Sequence, residues 1–118
     1  KFNYAKYFKY KGKPQNLNKK LDFFKPDIQK FSTLQLIPKM NNSKSGPIIV
    51  NAANEIFVDE FLKKNIHFDD IFTYLNLVLK DRSYIKTSKM PSNSVKNIYK
   101  IDKLSRAIAF KIIKNNKW

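Results

Sequence analysis

GPIIVNAANEIFVDEFLKKNIHFDDI, residues 46–71, is the stretch whose reading decides the fold. Ile49, Ala52, Ala53, Ile56, Phe57, Phe61 and Leu62 recur three and four apart. That spacing puts them on one face of a helix. Asn51, Asn54 and Glu55 recur at the same intervals and form a polar patch on a different face. Asparagine is a poor helix former, because its amide competes for backbone hydrogen bonds. A contact with another surface therefore explains the patch better than local preference does. Asn51, Asn54 and Glu55 are the candidate contact residues. They pair either with a neighbouring domain or linker, or within the bundle itself.

The helix begins near Gly46-Pro47, since proline suits a first helical turn. It runs to about Lys64, with Asn65 as its stop. Asp59–Lys63 and Glu60–Lys64 are favourable pairs one turn apart, which marks a solvated stripe. Asp69 is read as the N-cap of a following helix, and Asp70 suits its first turn. Ile71, Leu75, Val78 and Leu79 give that helix its buried face up to about Lys80.

Upstream, residues 1–26 show no sustained period and read as an extended linker, with turns at Gly12-Lys13-Pro14 and Lys25-Pro26. Phe2, Tyr4, Tyr7, Phe8 and Tyr10 either pin this linker to a neighbouring surface, the preferred reading, or stack on bases. Leu21, Phe23 and Phe24 form a short apolar patch of the kind a strand uses. Pro26-Asp27 opens a turn, and a helix starts near Ser32 or Thr33, either of which can cap it. Pro38 is expected to kink or end that helix. Downstream, residues 81–97 read as a polar loop with a strand or turn at Ser83–Thr87. A last helix is expected from Asp102 as N-cap, burying Leu104, Ala107, Ile108, Phe110 and Ile112. Asp102 and Arg106 stand one turn apart and can pair. Lys111, Lys114 and Lys117 suit the C-terminal end of its dipole. The expected fold is mainly α: a small bundle of about four helices over 27–118, preceded by the extended linker.

The bulk properties fit one small domain, with 42% apolar residues in 118. There is no cysteine, so neither a disulfide framework nor thiolate metal ligation is available. No apolar run approaches the ~20 residues of a membrane span. The chain begins without methionine and lacks the apolar core of a signal peptide, so it is expected to be a processed or excised piece. Its net charge of +15 rests almost wholly on lysine, with Arg82 and Arg106 the only arginines. Arginine is the residue that makes bidentate contacts to bases and phosphates. A solvated lysine surface is thus the preferred reading, and polyanion binding is the alternative.

Two glycines rule out a glycine-rich dinucleotide fingerprint. The single histidine, His67, lies in a short link between helices and reads as a structural or surface residue. Asp69 and Asp70 read as capping residues rather than as a metal pair. Asp59 and Glu60 point about 100° apart on a helix and make a weak carboxylate pair. No activated acid–base site can be assembled, so no catalytic, cofactor-binding or metal-ligating residue is assigned.

The run from Gly46 to Ile71 resembles the C-terminal region of 1-deoxy-D-xylulose 5-phosphate reductoisomerase. The resemblance rests on Asn51-Ala52-Ala53-Asn54-Glu55, on Phe61-Leu62, and on Ile66-His67-Phe68-Asp69-Asp70-Ile71. Phe24-Lys25-Pro26-Asp27, Phe31 and Leu34-Gln35-Leu36 match upstream in the right order. Ile101-Asp102 with Arg106 and Ala109 match downstream. The family's enzyme converts 1-deoxy-D-xylulose 5-phosphate to 2-C-methyl-D-erythritol 4-phosphate, by rearrangement and then reduction, using NADPH and a divalent metal, Mg or Mn. The resemblance implies a linker and terminal bundle that support NADPH-binding and catalytic domains elsewhere in the enzyme, within a homodimer. The metal-binding carboxylates and phosphate-gripping residues match no position here. Pro38, the Asn41-Asn42-Ser43 stretch and the lysine-rich run from Arg82 to Asn97 depart from the family pattern. The lysine and asparagine bias suits a plastid-type organelle (apicoplast) of a parasite with an AT-rich genome. A bacterial-type cytoplasm is the other expectation, and a stand-alone lysine-rich module binding nucleic acid is the alternative function.

Overall fold

A computed structural model describes residues 22–116. The expected turn at residues 12–14, the aromatics between Phe2 and Tyr10, Leu21 and Lys117 lie outside them. Residues 22–27 carry no regular structure and are exposed. Asp27 then opens the expected turn, its carboxylate Oδ1 accepting from the backbone N–H of Gln29 (2.9 Å) and of Lys30 (3.1 Å). A 3-10 helix, Ser32–Leu36, leads into α1, Ile37–Asn41. Neither Ser32 nor Thr33 caps it. Pro38 sits in the first turn of α1, where its missing N–H costs no hydrogen bond, so it opens the α-helix that it was expected to end.

The centre of the bundle is α2, Gly46–Leu62. Ile49, Ala52, Ala53 and Phe57 on it are buried, Ile56 and Phe61 are half-buried, and Leu62 is exposed. The helix ends one residue beyond its C-cap with Lys64 at φ 62°. Lys64 N–H donates to the Phe61 carbonyl (2.9 Å) and Asn65 N–H to the Glu60 carbonyl (2.9 Å). These two bonds are the Schellman closure that usually selects glycine. The same turn explains why Glu60 does not meet Lys64. Asn65 Nδ2 donates to Glu60 Oε2 instead (2.8 Å), while Asp59 and Lys63 pair as expected (2.5 Å).

Next comes α3, Phe68–Lys80. Its N-cap is His67, two residues earlier than the expected Asp69, because the Asp70 carboxylate reaches back to accept from His67 N–H (2.7 Å). Ile71, Tyr74, Leu75 and Val78 are buried, and Tyr74 meets Phe57 edge to face with ring centres 5.5 Å apart. Burial, and then the nearby Asp70 charge, push the Tyr74 hydroxyl above its ordinary pKa.

The stretch expected to be a loop holds a further helix, α4, Arg82–Ser88. Asp81 is its N-cap, accepting from Ser83 N–H (2.7 Å), and it also receives Lys111 Nζ (3.0 Å). Burial alone would raise the Asp81 carboxyl. The Ser83 and Lys111 donors overcome it and hold the pKa below the ordinary carboxylate value. The last helix, α5, is Val95–Asn116. It starts seven residues before the expected cap, with Ser94 Oγ accepting from Asn97 N–H (3.2 Å). Asp102 is therefore interior. The buried seam of α5 is Ile101, Ser105, Ile108, Ala109, Ile112 and Ile113, while Leu104, Ala107 and Phe110 are exposed. Ser105 hides its hydroxyl by donating to the Ile101 carbonyl (2.6 Å), so a polar residue lies in the seam without an unmet hydrogen bond.

The largest helix–helix interface joins α2 and α5, and α3 packs against both. Ala52, Ala53, Ala109 and Ser105 keep these surfaces small, which lets the backbones approach. A serine knot closes one end of the bundle. Ser45, fully buried, donates from Oγ to the Met90 carbonyl (2.6 Å), and its N–H donates to the Ser88 carbonyl (3.3 Å). Gly46 follows directly. A Cβ there would overlap the Met40 carbonyl oxygen and Ser43 Oγ. The described residues form a helical bundle with no strand among them.

Candidate inter-domain surface

The polar face of α2 divides into two unlike parts. Asn51 and Glu55 belong to a strut that ties α2 to α5. Asn51 Nδ2 donates to Glu55 Oε1 (3.0 Å), and Arg106 reaches across 51 positions of sequence to Glu55 Oε2 (2.5 Å). The same guanidinium contacts both oxygens of Asp102, at 2.9 and 3.2 Å, the pairing expected from their spacing. Hydrogen bonds from Asp102 and then from Glu55 raise the Arg106 pKa, which holds the guanidinium in its charged form. Each of these side chains remains a third or more exposed, so the strut is a screened surface network rather than a buried one.

Asn54 takes no part in the strut, although it shares the lining of one groove with Asn51. It is half-buried and lines two grooves beside the 3-10 helix, and Thr33 lines both with it. The larger groove, about 430 Å³, runs between Phe31 and Phe68 over Val58, Ile71 and Phe72. The smaller, about 390 Å³, runs past Leu36, Met40, Pro47 and Val50. The smaller is walled mainly by apolar side chains, whereas Lys30, Ser32, Thr33, Asp69 and Thr73 line the larger beside its aromatic and aliphatic groups. Among the described residues the Asn54 side-chain amide has no hydrogen-bond partner.

Of the three candidate residues the fold thus brings Asn51 and Glu55 together and leaves Asn54 apart. Arg106, Thr33, Phe31 and Phe68 complete these features, and spacing along α2 carries no signal for them. Arg106 was visible as a partner of Asp102 and in the resemblance to the family's closing helix, but not as a partner of Glu55. His67 serves the α2–α3 corner through its backbone. Among the described residues no three histidine, aspartate or glutamate side chains cluster as metal ligands. No described helix is long and apolar enough to cross a membrane.

A family model for the DXP reductoisomerase C-terminal domain matches residues 4–108. The chain is 41% identical over 99 residues to the 1-deoxy-D-xylulose 5-phosphate reductoisomerase of Wolbachia sp. subsp. Brugia malayi (strain TRS), covering 81% of this chain and 24% of that protein. It is 40% identical over 96 residues to the enzyme of the same name from Ehrlichia canis (strain Jake), covering 79% of this chain and 24% of that protein. It is 33% identical over 105 residues to that from Chlamydia abortus (strain DSM 27085 / S26/3), covering 87% and 26%. The chain spans about a quarter of the length of these bacterial relatives. No solved structure matches it. The motifs from Phe24 to Ala109 and the helical bundle agree with one another, and the chain belongs to the DXP reductoisomerase C-terminal domain family.

Proposed function

We propose that this chain is the linker and terminal helical domain of a 1-deoxy-D-xylulose 5-phosphate reductoisomerase, and that it acts as a structural support for catalysis housed elsewhere in the enzyme. The observation that carries this reading is the family match over residues 4–108. Residues 1–26 would then be the linker and 27–118 the bundle.

NADPH and a divalent metal belong to the implied reaction, and the residues described here do not fit either group. No set of three metal-ligating carboxylates or histidines occurs among them. With two glycines in the chain there is no dinucleotide loop. Those groups are assigned to the remainder of the polypeptide, and the complete enzyme is proposed to be a homodimer. The relatives named are bacterial and support a bacterial setting; they lend nothing to a plastid-type organelle. No observation favours the stand-alone polyanion-binding module.

The test is NADPH oxidation by the complete polypeptide that carries this domain, supplied with 1-deoxy-D-xylulose 5-phosphate and Mg²⁺. Oxidation that depends on that substrate is expected. A complete polypeptide that leaves substrate and NADPH unchanged, while binding RNA or DNA at moderate salt, would replace this reading with the alternative.

A further inference from the structure

The Asn54 groove is open at the point where the chain enters the bundle. Lys30 and Phe31, at the end of the Asp27 turn, line it, and Phe23 and Phe24, 89% and 88% exposed, lie a few residues upstream in the chain. The two aromatic residues, Phe31 and Phe68, are 53% and 71% exposed and line the groove together with the buried Ile71, and Phe68 also meets Phe61 edge to face with ring centres 5.7 Å apart. A primary amide half-sunk among Phe31, Val58, Ile71 and Phe72, with Lys30 and Asp69 also lining the groove, offers an acceptor oxygen and two donors, the complement of a peptide group. The neighbouring Asn51 donates to Glu55, and Glu55 also receives Arg106, so this pair does not compete for the same ligand.

At about 430 Å³ the groove takes a few side chains or one short segment, not the broad face of a free partner protein. A segment tethered to the same polypeptide needs far less contact area, because the tether holds it at high effective concentration. The relatives are about four times as long as the part this chain covers, so most of such a polypeptide lies beyond these residues.

We propose that the Phe31–Asn54–Phe68 groove seats an extended segment of the preceding part of the same polypeptide. The Asn54 amide donates to one of its backbone carbonyls and accepts from one of its N–H groups, with Phe31 and Phe68 flanking the peptide. This rests on the reading that the chain is the terminal domain of a longer reductoisomerase. It adds the contact surface and the chemistry of what the surface holds.

Hydrogen–deuterium exchange on the complete polypeptide, beside the 118-residue chain alone, tests it. Amides in residues 28–34 and 68–73 are expected to exchange about tenfold slower in the complete polypeptide. Asn54→Leu and Phe68→Ser, both at solvent-accessible positions, should abolish that slowing, whereas Val95→Ser on the exposed start of α5 should leave it intact. Equal exchange in the two forms, or slowing confined to the start of α5, overturns the proposal. Substrate-dependent NADPH oxidation in the same preparation separates the two levels. Turnover with an unprotected groove overturns the seat alone, and absence of turnover overturns the terminal-domain reading with it.

Discussion

Replacing Asp81 with alanine removes two contacts at once, and replacing it with asparagine removes one. The Asp81 carboxylate caps α4 through Ser83 N–H and pairs with Lys111 on α5, so a single side chain joins the ends of α3, α4 and α5. A lost N-cap costs about 1 kcal/mol. The ion pair contributes about 0.5 kcal/mol, discounted because the Lys111 side chain is 57% exposed although that of Asp81 is only 15% exposed. Asp81→Ala should therefore destabilise the chain by about 1.5 kcal/mol. Asp81→Asn keeps a capping oxygen and should cost about 0.5 kcal/mol. The asparagine loss carries a pH signature. The folded pKa of Asp81 is depressed, so its charge contributes stability above the unfolded value of about 3.9 and loses it as pH falls through the folded value. Urea unfolding of wild type and Asp81→Asn should differ at pH ~7 and draw together as the pH falls into the acid range. Equal losses for alanine and asparagine would refute the capping role. A wild-type-to-asparagine gap that persists in acid would refute the charge term.

Three further outcomes follow from the packing. Gly46→Ala should destabilise by about 1–3 kcal/mol in thermal unfolding, since the new Cβ meets the fixed Met40 carbonyl and the overlap outweighs alanine's better helix propensity of up to ~1 kcal/mol. Lys64→Gly should stabilise by about 0.5–1 kcal/mol, because Lys64 holds the left-handed position of a Schellman turn; a loss in urea unfolding would contradict that turn. A double-mutant cycle with Glu55→Gln and Arg106→Met should give a coupling of about 0.5 kcal/mol that shrinks in high salt, and a coupling of zero would remove the strut.

The two central helices were legible because apolar spacing and local capping agree there. Ile49, Ala53 and Phe57 on α2 and Ile71, Leu75 and Val78 on α3 lie in the core where the three- and four-residue period puts them. Legibility failed where a polar residue had a hidden partner. The hydrogen bond that lets Ser105 lie in the buried seam cannot be read from sequence, and Leu104, Ala107 and Phe110, expected on the buried side, are exposed. Asp102 looked like a cap because aspartate favours caps; its expected pairing with Arg106 holds, but inside the helix, whose first turn Ser94 serves instead. Asp81 would have announced α4 had its spacing to Ser83 been weighed as a cap. The polar patch of α2 was visible as a patch, but its division depended on Arg106, 51 residues beyond Glu55. A contact of that separation leaves no periodic trace.

The account places all the reacting groups outside this chain while making the intact enzyme depend on it. The most direct measurement deletes residues 32–116 from the complete polypeptide and follows NADPH oxidation with 1-deoxy-D-xylulose 5-phosphate and Mg²⁺, alongside NADPH binding by fluorescence. The account predicts that turnover falls at least about tenfold while NADPH still binds, a loss worth ~1.4 kcal/mol or more of transition-state stabilisation. Turnover that survives the deletion unchanged would contradict it.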